Sequence, residues 1–402
     1  MTDTAASRLG DTPAGDLSAL RKGNRMRVLA ALRDYGPQSQ KDLAARVKLS
    51  QASISNMVAE LLELDQVTLT ERVDRRRYKI VSLSGRLGLV LGIGVDHQKI
   101  DVVLGNLACE IYQSRSMSTS PELTPIEMLK SAVTLAEECI AGAGRKPADV
   151  VAVGLSLPSP IAGPATAVEP AFPQWWSVHP VQWLTARLGA RVVLDNAAYA
   201  ATMAEWRWGA GRGCSDFLNV TVADGIGAGF VLANRIYHGG LGGGGEIGHV
   251  VVEPGGGQRC RCGNSGCLET FASLPAMLRT AQEAGARVTT HEEFLDAAVA
   301  GDAVCLDIVT RESHRIGSVL GSVASLLSPT RIIIGGTLAR ASSVALPALR
   351  RGFADAVIPT MPVQPAVIEA ELNEASIAVG AMAIATASLP DEDLLQLSQR
   401  GG

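Results

Sequence analysis

The chain has 402 residues, 47% of them hydrophobic and 19% charged, with a formal net charge of −4. That is enough apolar material for two or three domains with real cores, in an ordinary water-soluble protein. No apolar run reaches the ~18 residues of a membrane span; GRLGLVLGIGV is too short and glycine-rich, so no membrane partner is expected.

In chain order, residues 1–18 (MTDTAASRLGDTPAGDLS) lack the apolar centre of a signal peptide and read as a disordered lead-in. Residues 19–83 form a head distinct in charge from the rest. Residues 19–82 hold 13 Lys and Arg against 7 Asp and Glu, a net of +6, which leaves −10 for the rest of the chain. A basic head on an acidic body implies a polyanionic partner for the head alone. The first helix, ALRKGNRMRVLAALRDY, spaces Met26, Leu29, Ala30 and Leu32 near the helical period. GPQSQ ends it, and Ser39 is placed to cap a second helix, QKDLAARVK. After a tight turn at Leu49 and Ser50, a third helix, QASISNMVAELLELD, carries a stripe of Ile54, Met57, Val58, Leu61 and Leu62.

The polar residues of that third helix, Ser50, Gln51, Ser53, Ser55 and Asn56, are small enough to approach base edges in a major groove. Two alternating runs, QVTLTERV and YKIVSLS, are joined by DRRR and complete a winged helix-turn-helix. Arg75, Arg76 and Arg77 at the wing tip suit phosphates or the minor groove, which would make binding salt-dependent.

Beyond the head, β-rich runs at 91–95, 100–104, 150–155, 191–194, 217–222 and 331–334 alternate with helical stretches, the pattern of an α/β body. At 192–206, VVLDNAAYAATMAEW passes from a strand into an alanine-rich helix and places Asp195 and Asn196 at the junction. A carboxylate there is a common position for a catalytic base. Further on, GGGGEIGHVVVEPGGGQRCRCGNSGCLE (242–269) offers Cys260, Cys262 and Cys267, with His249 eleven residues upstream of the first cysteine. Three Cys and one His make a complete tetrahedral zinc set. Gly263 and Gly266 let the loop curl so that the sulfurs face one point. Four protein ligands leave no open position for water, so this zinc is structural. Three of the seven cysteines crowd into eight residues, which favours a metal site in a reducing cytoplasm over a disulfide framework.

The run from Glu246 to Glu269 resembles the signature of ROK proteins (repressors, open reading frames, kinases). GLSLPSPIAG (154–163), ADGIGAGFVLANRIYHGGLGGGGEIGH (223–249) and SPTRIIIGGTL (328–338) extend the resemblance over residues 19 to about 390. With its winged head, the chain is similar to the regulator branch of that family. The resemblance implies a two-lobed, actin-like and hexokinase-like (RNase H-like) body closing over a cleft. Its first lobe would be 84–205, completed by about 373–390, and its second 206–372 with the zinc loop 249–269; residues 391–402 would be a C-terminal tail. It also implies that Asn196, Glu246, His249 and Glu269 contact sugar hydroxyls, with His249 serving zinc on one ring nitrogen and sugar on the other. The zinc then fixes the loop that aims Glu269.

Kinases of the family need two phosphate cradles, a divalent metal and an Asp base. In the first cradle, aligned on Lys99, the family's acid is here Gly94 and its Gly-Gly-Thr triplet is Asp96, His97 and Gln98. The second, DGIG at 224–227, is better preserved. Counting back eight residues from Glu205 places the base at Ala197, with Asn196 on the family's Asn and Tyr199 on its second Asn. A two-residue shift would bring Asp195 to the base position, but a helix turns about 100° per residue and Glu205 would be misplaced. Losing a general base costs on the order of 10² to 10⁴ in rate.

The expectation is a cytoplasmic, sugar-responsive transcriptional regulator of carbohydrate-metabolism genes, not an enzyme, whose body is a disabled sugar-kinase sensor. Its partners would be a near-palindromic double-stranded operator and a sugar or sugar-phosphate effector, with the protein a homodimer or homotetramer. The alternative is an active ATP-dependent sugar kinase with an appended DNA-binding domain and Asp195 as base. A third reading is a ligand-independent repressor with a vestigial cleft.

Overall fold

Ser39 and Ser50 mark where the first two turns hand over to helices. In the computed structural model, which describes residues 14–73, 77–96, 99–120, 123–158, 175, 178–360, 363–372 and 376–397, both act as N-caps. Helix α1 (Ala14–Tyr35) buries Val28, Leu29, Ala31 and Leu32. It begins at Ala14, inside the stretch expected as lead-in, and residues 1–13 lie outside the described residues. After β1 (Gln38–Ser39) comes α2 (Gln40–Val47), where Ser39 Oγ accepts the Asp42 N–H at 3.1 Å. Helix α3 (Gln51–Glu63) starts where Ser50 Oγ accepts the Ser53 N–H at 3.1 Å, relieving one of the unpaired donors of its first turn.

On α3 the core residues are Ile54, Met57, Val58 and Leu61, while Leu62 is only half-buried. It sits one residue past the stripe, rotated toward the rim. Strands β2 (Val67–Val73) and β3 (Arg77–Leu83) pair antiparallel from Val67 with Leu83 to Val73 with Arg77. With β1 on the far side of β3 they make a three-stranded sheet, order β1-β3-β2.

The chain divides into two compact units, residues 1–89 with 106–110 and 389–402, and residues 90–105 with 111–388. In the second, β4 (Leu89–Val95), β5 (Lys99–Asn106) and β6 (Ile111–Ser118) are followed by α4 (Pro125–Gly142), β7 (Val150–Leu157), α5 (Pro180–Leu188), β8 (Arg191–Asn196) and α6 (Ala197–Trp208). Next come β9 (Phe217–Val222), β10 (Ile226–Leu232) and β11 (Arg235–Tyr237), then α7 (Glu269–Ala272), α8 (Leu274–Glu283), α9 (His291–Ala300) and α10 (Ala303–Leu327). The unit closes with β12 (Arg331–Gly335), α11 (Ser342–Ala356), β13 (Ala366–Glu369) and α12 (Ser376–Ala387).

The two five-stranded sheets run β6-β5-β4-β7-β8 and β11-β10-β9-β12-β13. Numbered within its own half, each reads third, second, first, fourth, fifth, so one architecture occurs twice. Antiparallel pairing joins β9 to β10 and β10 to β11, while β12 runs parallel to β9 and to β13. Every β-rich run expected from the sequence falls inside one of these strands. Central β4 is buried along its whole length, as a strand covered on both faces must be. Small side chains let α6 and α12 pack closely, and Ala200, Ala201, Ala204, Ala381 and Ala385 are all buried. The alanine content of α6 is therefore a packing requirement.

A last helix, α13 (Asp391–Gln396), belongs to the first unit. Arg33 of α1 meets Asp391 at 2.7 Å and also donates to the Leu389 carbonyl, and Gln66 Nε2 donates to the Leu395 carbonyl at 3.1 Å. The stretch expected as a tail thus includes a helix of the head. Among the described residues, no helix is long and apolar enough to cross a membrane.

Candidate functional site

The site of the second unit is built by the β8–α6 junction, the β9–β10 hairpin and the loop between β11 and α7. Gly245 lets the loop pass the hairpin: its φ is +88°, and a Cβ there would lie 1.9 Å from the Ala228 carbonyl oxygen. This passage brings Glu246 and the short 3-10 turn Ile247–His249 up to the cavity. The loop then folds on itself through bridges between Val251 and Cys267 and between Arg259 and Ser265. Gly263 and Gly266 take φ of +97° and +74°, the left-handed curl that the sequence required.

The curl gathers His249, Cys260, Cys262 and Cys267, whose ligand atoms all lie within 4.8 Å of one another. Cys262 and Cys267 sulfurs are 3.7 Å apart, and His249 Nδ1 is 3.4 Å from Cys260 Sγ. Bonds of ~2.3 Å to sulfur separate tetrahedral ligands by about 3.8 Å, so the four residues fit an ion of zinc's size. Burial lowers the His249 pKa, which favours the neutral ring that ligates metals. Burial also pushes the Cys260 and Cys267 thiols up, so a bound metal has to displace their protons. The other ring nitrogen, His249 Nε2, faces Glu246 Oε2 at 3.8 Å on the cavity side.

That cavity has a volume of about 410 Å³, within the roughly 300–1,000 Å³ of small-molecule sites. The structure brings all four expected sugar contacts, Asn196, Glu246, His249 and Glu269, into its wall. Asn196 is the N-cap of α6, its side-chain oxygen accepting the Ala198 N–H at 2.7 Å. Glu269 opens α7 and accepts the Ile226 N–H at 3.2 Å and Arg261 Nη2 at 2.9 Å. Burial, then the charge of Glu269, raises the Glu246 pKa above the ordinary 4.5.

Asp195 lies outside the wall. Its Oδ1 accepts the Asn196 N–H at 2.8 Å and its Oδ2 meets His238 Nε2 at 3.1 Å. That hydrogen bond raises His238 above its ordinary pKa of 6.5. The His238 ring stands edge-on to Tyr199, centroids 4.7 Å apart, and the Tyr199 hydroxyl donates to the Gly244 carbonyl. Tyr199 thus props the glycine loop that delivers Glu246. Ala197 lines the cavity with a methyl group. Asp96 also lines it, while His97 and Gln98 lie outside the described residues.

Three features escaped sequence reading. Arg261 lines the cavity; lying between two ligand cysteines, it was bound to point away from the metal, a signal that was available. Asp224, the acid of the DGIG turn, faces His291 Nδ1 at 3.4 Å, both largely buried. The buried Glu205 accepts the Ala210, Glu371 and Leu372 N–H groups, which makes it a clamp for backbone. Of the tryptophans, Trp175 is buried and Trp183 stacks on Arg187.

In the head, Gln51, Ser53, Ser55 and Asn56 are exposed along one side of α3. Ser50 is exposed too and caps the helix, with its hydroxyl 2.8 Å from that of Ser53. Arg75 and Arg76 lie outside the described residues, and of Arg77 only the backbone, at the start of β3, is described. Arg27 and Arg46 are internal struts, donating to the Val47 carbonyl and to Gln38.

The DNA-binding transcriptional repressor Mlc of Escherichia coli (strain K12) is 24% identical over 97% of this chain and 100% of its own length. A solved ROK family transcriptional regulator described as a homolog of E. coli Mlc superposes with a TM-score of 0.73 at 22% identity, covering 95% of this chain and 99% of that one. A ROK family glucokinase from Streptomyces griseus, solved with glucose and AMPPNP, gives 0.65 at 27% identity over 74% and 99%. The MarR family model matches residues 22–77, from within α1 through α2 and α3 to the end of β2. The ROK family model matches residues 90–388, both five-stranded sheets and the cysteine loop, and the chain belongs to the ROK family.

Proposed function

We propose that this protein is a sugar-responsive DNA-binding transcriptional regulator of carbohydrate-metabolism genes, whose body binds sugar without phosphorylating it. The observation that carries this reading is the cavity wall. Asn196, Glu246, His249 and Glu269 supply hydroxyl partners, while Ala197 stands at the position of the base. Asp96 at the first cradle adds negative charge where a nucleotide would bring its own. Glucokinases among the relatives keep the enzyme reading in view, and only turnover separates the two.

In this reading Ser50, Gln51, Ser53, Ser55 and Asn56 meet base edges and Arg75, Arg76 and Arg77 meet phosphates. His249, Cys260, Cys262 and Cys267 hold a structural zinc, which would fix the loop bearing Glu269. A sugar changes DNA affinity only by favouring one conformation of a cytoplasmic homodimer or homotetramer on a near-palindromic operator. The test is a gel shift on genomic fragments with and without a panel of sugars, alongside ATP consumption on the same panel. A sugar-dependent shift with background turnover is expected. Turnover abolished by Asp195→Asn would overturn the reading in favour of a kinase.

A further inference from the structure

We propose that Arg261 makes the cavity selective for an acidic sugar, one whose anionic substituent, a phosphate or a carboxylate, docks on the guanidinium. This rests on the reading of the cavity as a sugar site. Arg261 stands between Cys260 and Cys262, so the loop that ties those sulfurs together turns its side chain the other way, into the cavity wall. Among the described lining residues it is the one Arg or Lys; the other charged groups are Asp96, Glu246 and Glu269. An anion on the ligand is therefore repelled by every ionised wall group except this one, which fixes where it goes and how the sugar is turned.

Arg261 is 44% exposed and keeps Nη2 on Glu269 Oε2 at 2.9 Å. Room for the pair comes from Gly225, where a Cβ would lie 2.8 Å from both Arg261 Nη2 and Glu269 Oε2. The guanidinium thus rests against the glycine turn at 224–227, and its planar fork matches a phosphate or carboxylate. Glu269 is wanted by the sugar hydroxyls as well as by Arg261. A neutral sugar must share or break that ion pair and leaves the guanidinium without replacement. An acidic sugar brings its own anion to Arg261 and releases Glu269 to the hydroxyls.

Calorimetry on the full chain with glucose, glucose 6-phosphate, glucuronate, N-acetylglucosamine and its 6-phosphate tests this, each acid compared with its neutral parent. At least one acid should bind about tenfold tighter than its parent, the size of one charged hydrogen bond. A gain with phosphates only, with glucuronate only or with both identifies the anion. In Arg261→Gln that ratio should fall to near one, and Arg261→Lys, which keeps the charge without the fork, should retain part of it. Metal content and thermal unfolding of each variant confirm the fold. Neutral sugars binding as tightly as acidic ones, or a preference that survives Arg261→Gln, overturns this proposal and leaves the sugar-sensor reading standing. Binding of no sugar at all overturns both.

Discussion

The two sides of the cavity have been treated differently. On the side of the cysteine loop, the groups that the proposed reading assigns to a polyol all line the wall: Glu246 past Gly245, His249 beside the thiols, Glu269 at the head of α7. On the side where the resemblance would put phosphate and base, Ala197 offers only a methyl group and Asp96 puts an acid in the wall. Binding needs many modest hydrogen bonds and degrades gracefully; phosphoryl transfer needs a few groups in fixed places and fails when one goes. In the proposed reading, a sensor keeps the first set and has no use for the second.

The largest effect that bears on this contrast is expected at the loop. Cys267→Ser should lower metal affinity more than ~100-fold, because losing even an outer partner of a ligand costs roughly 10–100-fold. Metal analysis of the purified variant, with a thermal melt, reads it directly; full metal content would mean that the loop is not a metal site. A smaller effect belongs to the junction. Asp195→Asn should bring the His238 pKa, read by NMR titration, back toward 6.5, since the bond to Asp195 is what raises it. The sign follows: a raised folded-state value gives a stabilising pair that is complete below the ordinary pKa and is lost as pH rises through the folded one. An unchanged His238 titration would detach Asp195 from the ring. The smallest effect is expected on the impaired side. Ala197→Asp should leave ATP consumption at background, because Asp96 remains at the first cradle. Measurable turnover in that variant would reduce the difference between the two sides to a single missing base.

What the sequence displayed was local. The cysteine set was legible because its ligands sit within a short span and glycines announce the turns between them. The caps at Ser39 and Ser50 and the strand runs were legible for the same reason, since each depends on near neighbours. Pairings across long separations were not. Asp195 and His238 are 43 residues apart, and nothing near either one signals the other. Glu205 was used as a landmark for register, yet its task of gathering three backbone amides, two of them from residues 371 and 372, is visible only when the chain is folded. Leu62 shows the limit of periodicity, which marks a stripe but not how wide the neighbouring elements let it be.

Helix α13 gives the molecule an order in time. Arg33 and Asp391 are 358 residues apart, and the contact between them closes only when nearly the whole body has been made. Domains fold in turn as a chain is synthesised, so the body is complete before the head receives its last helix. A nascent or prematurely terminated chain therefore lacks α13, and the contacts that Arg33 and Gln66 make with that segment form last.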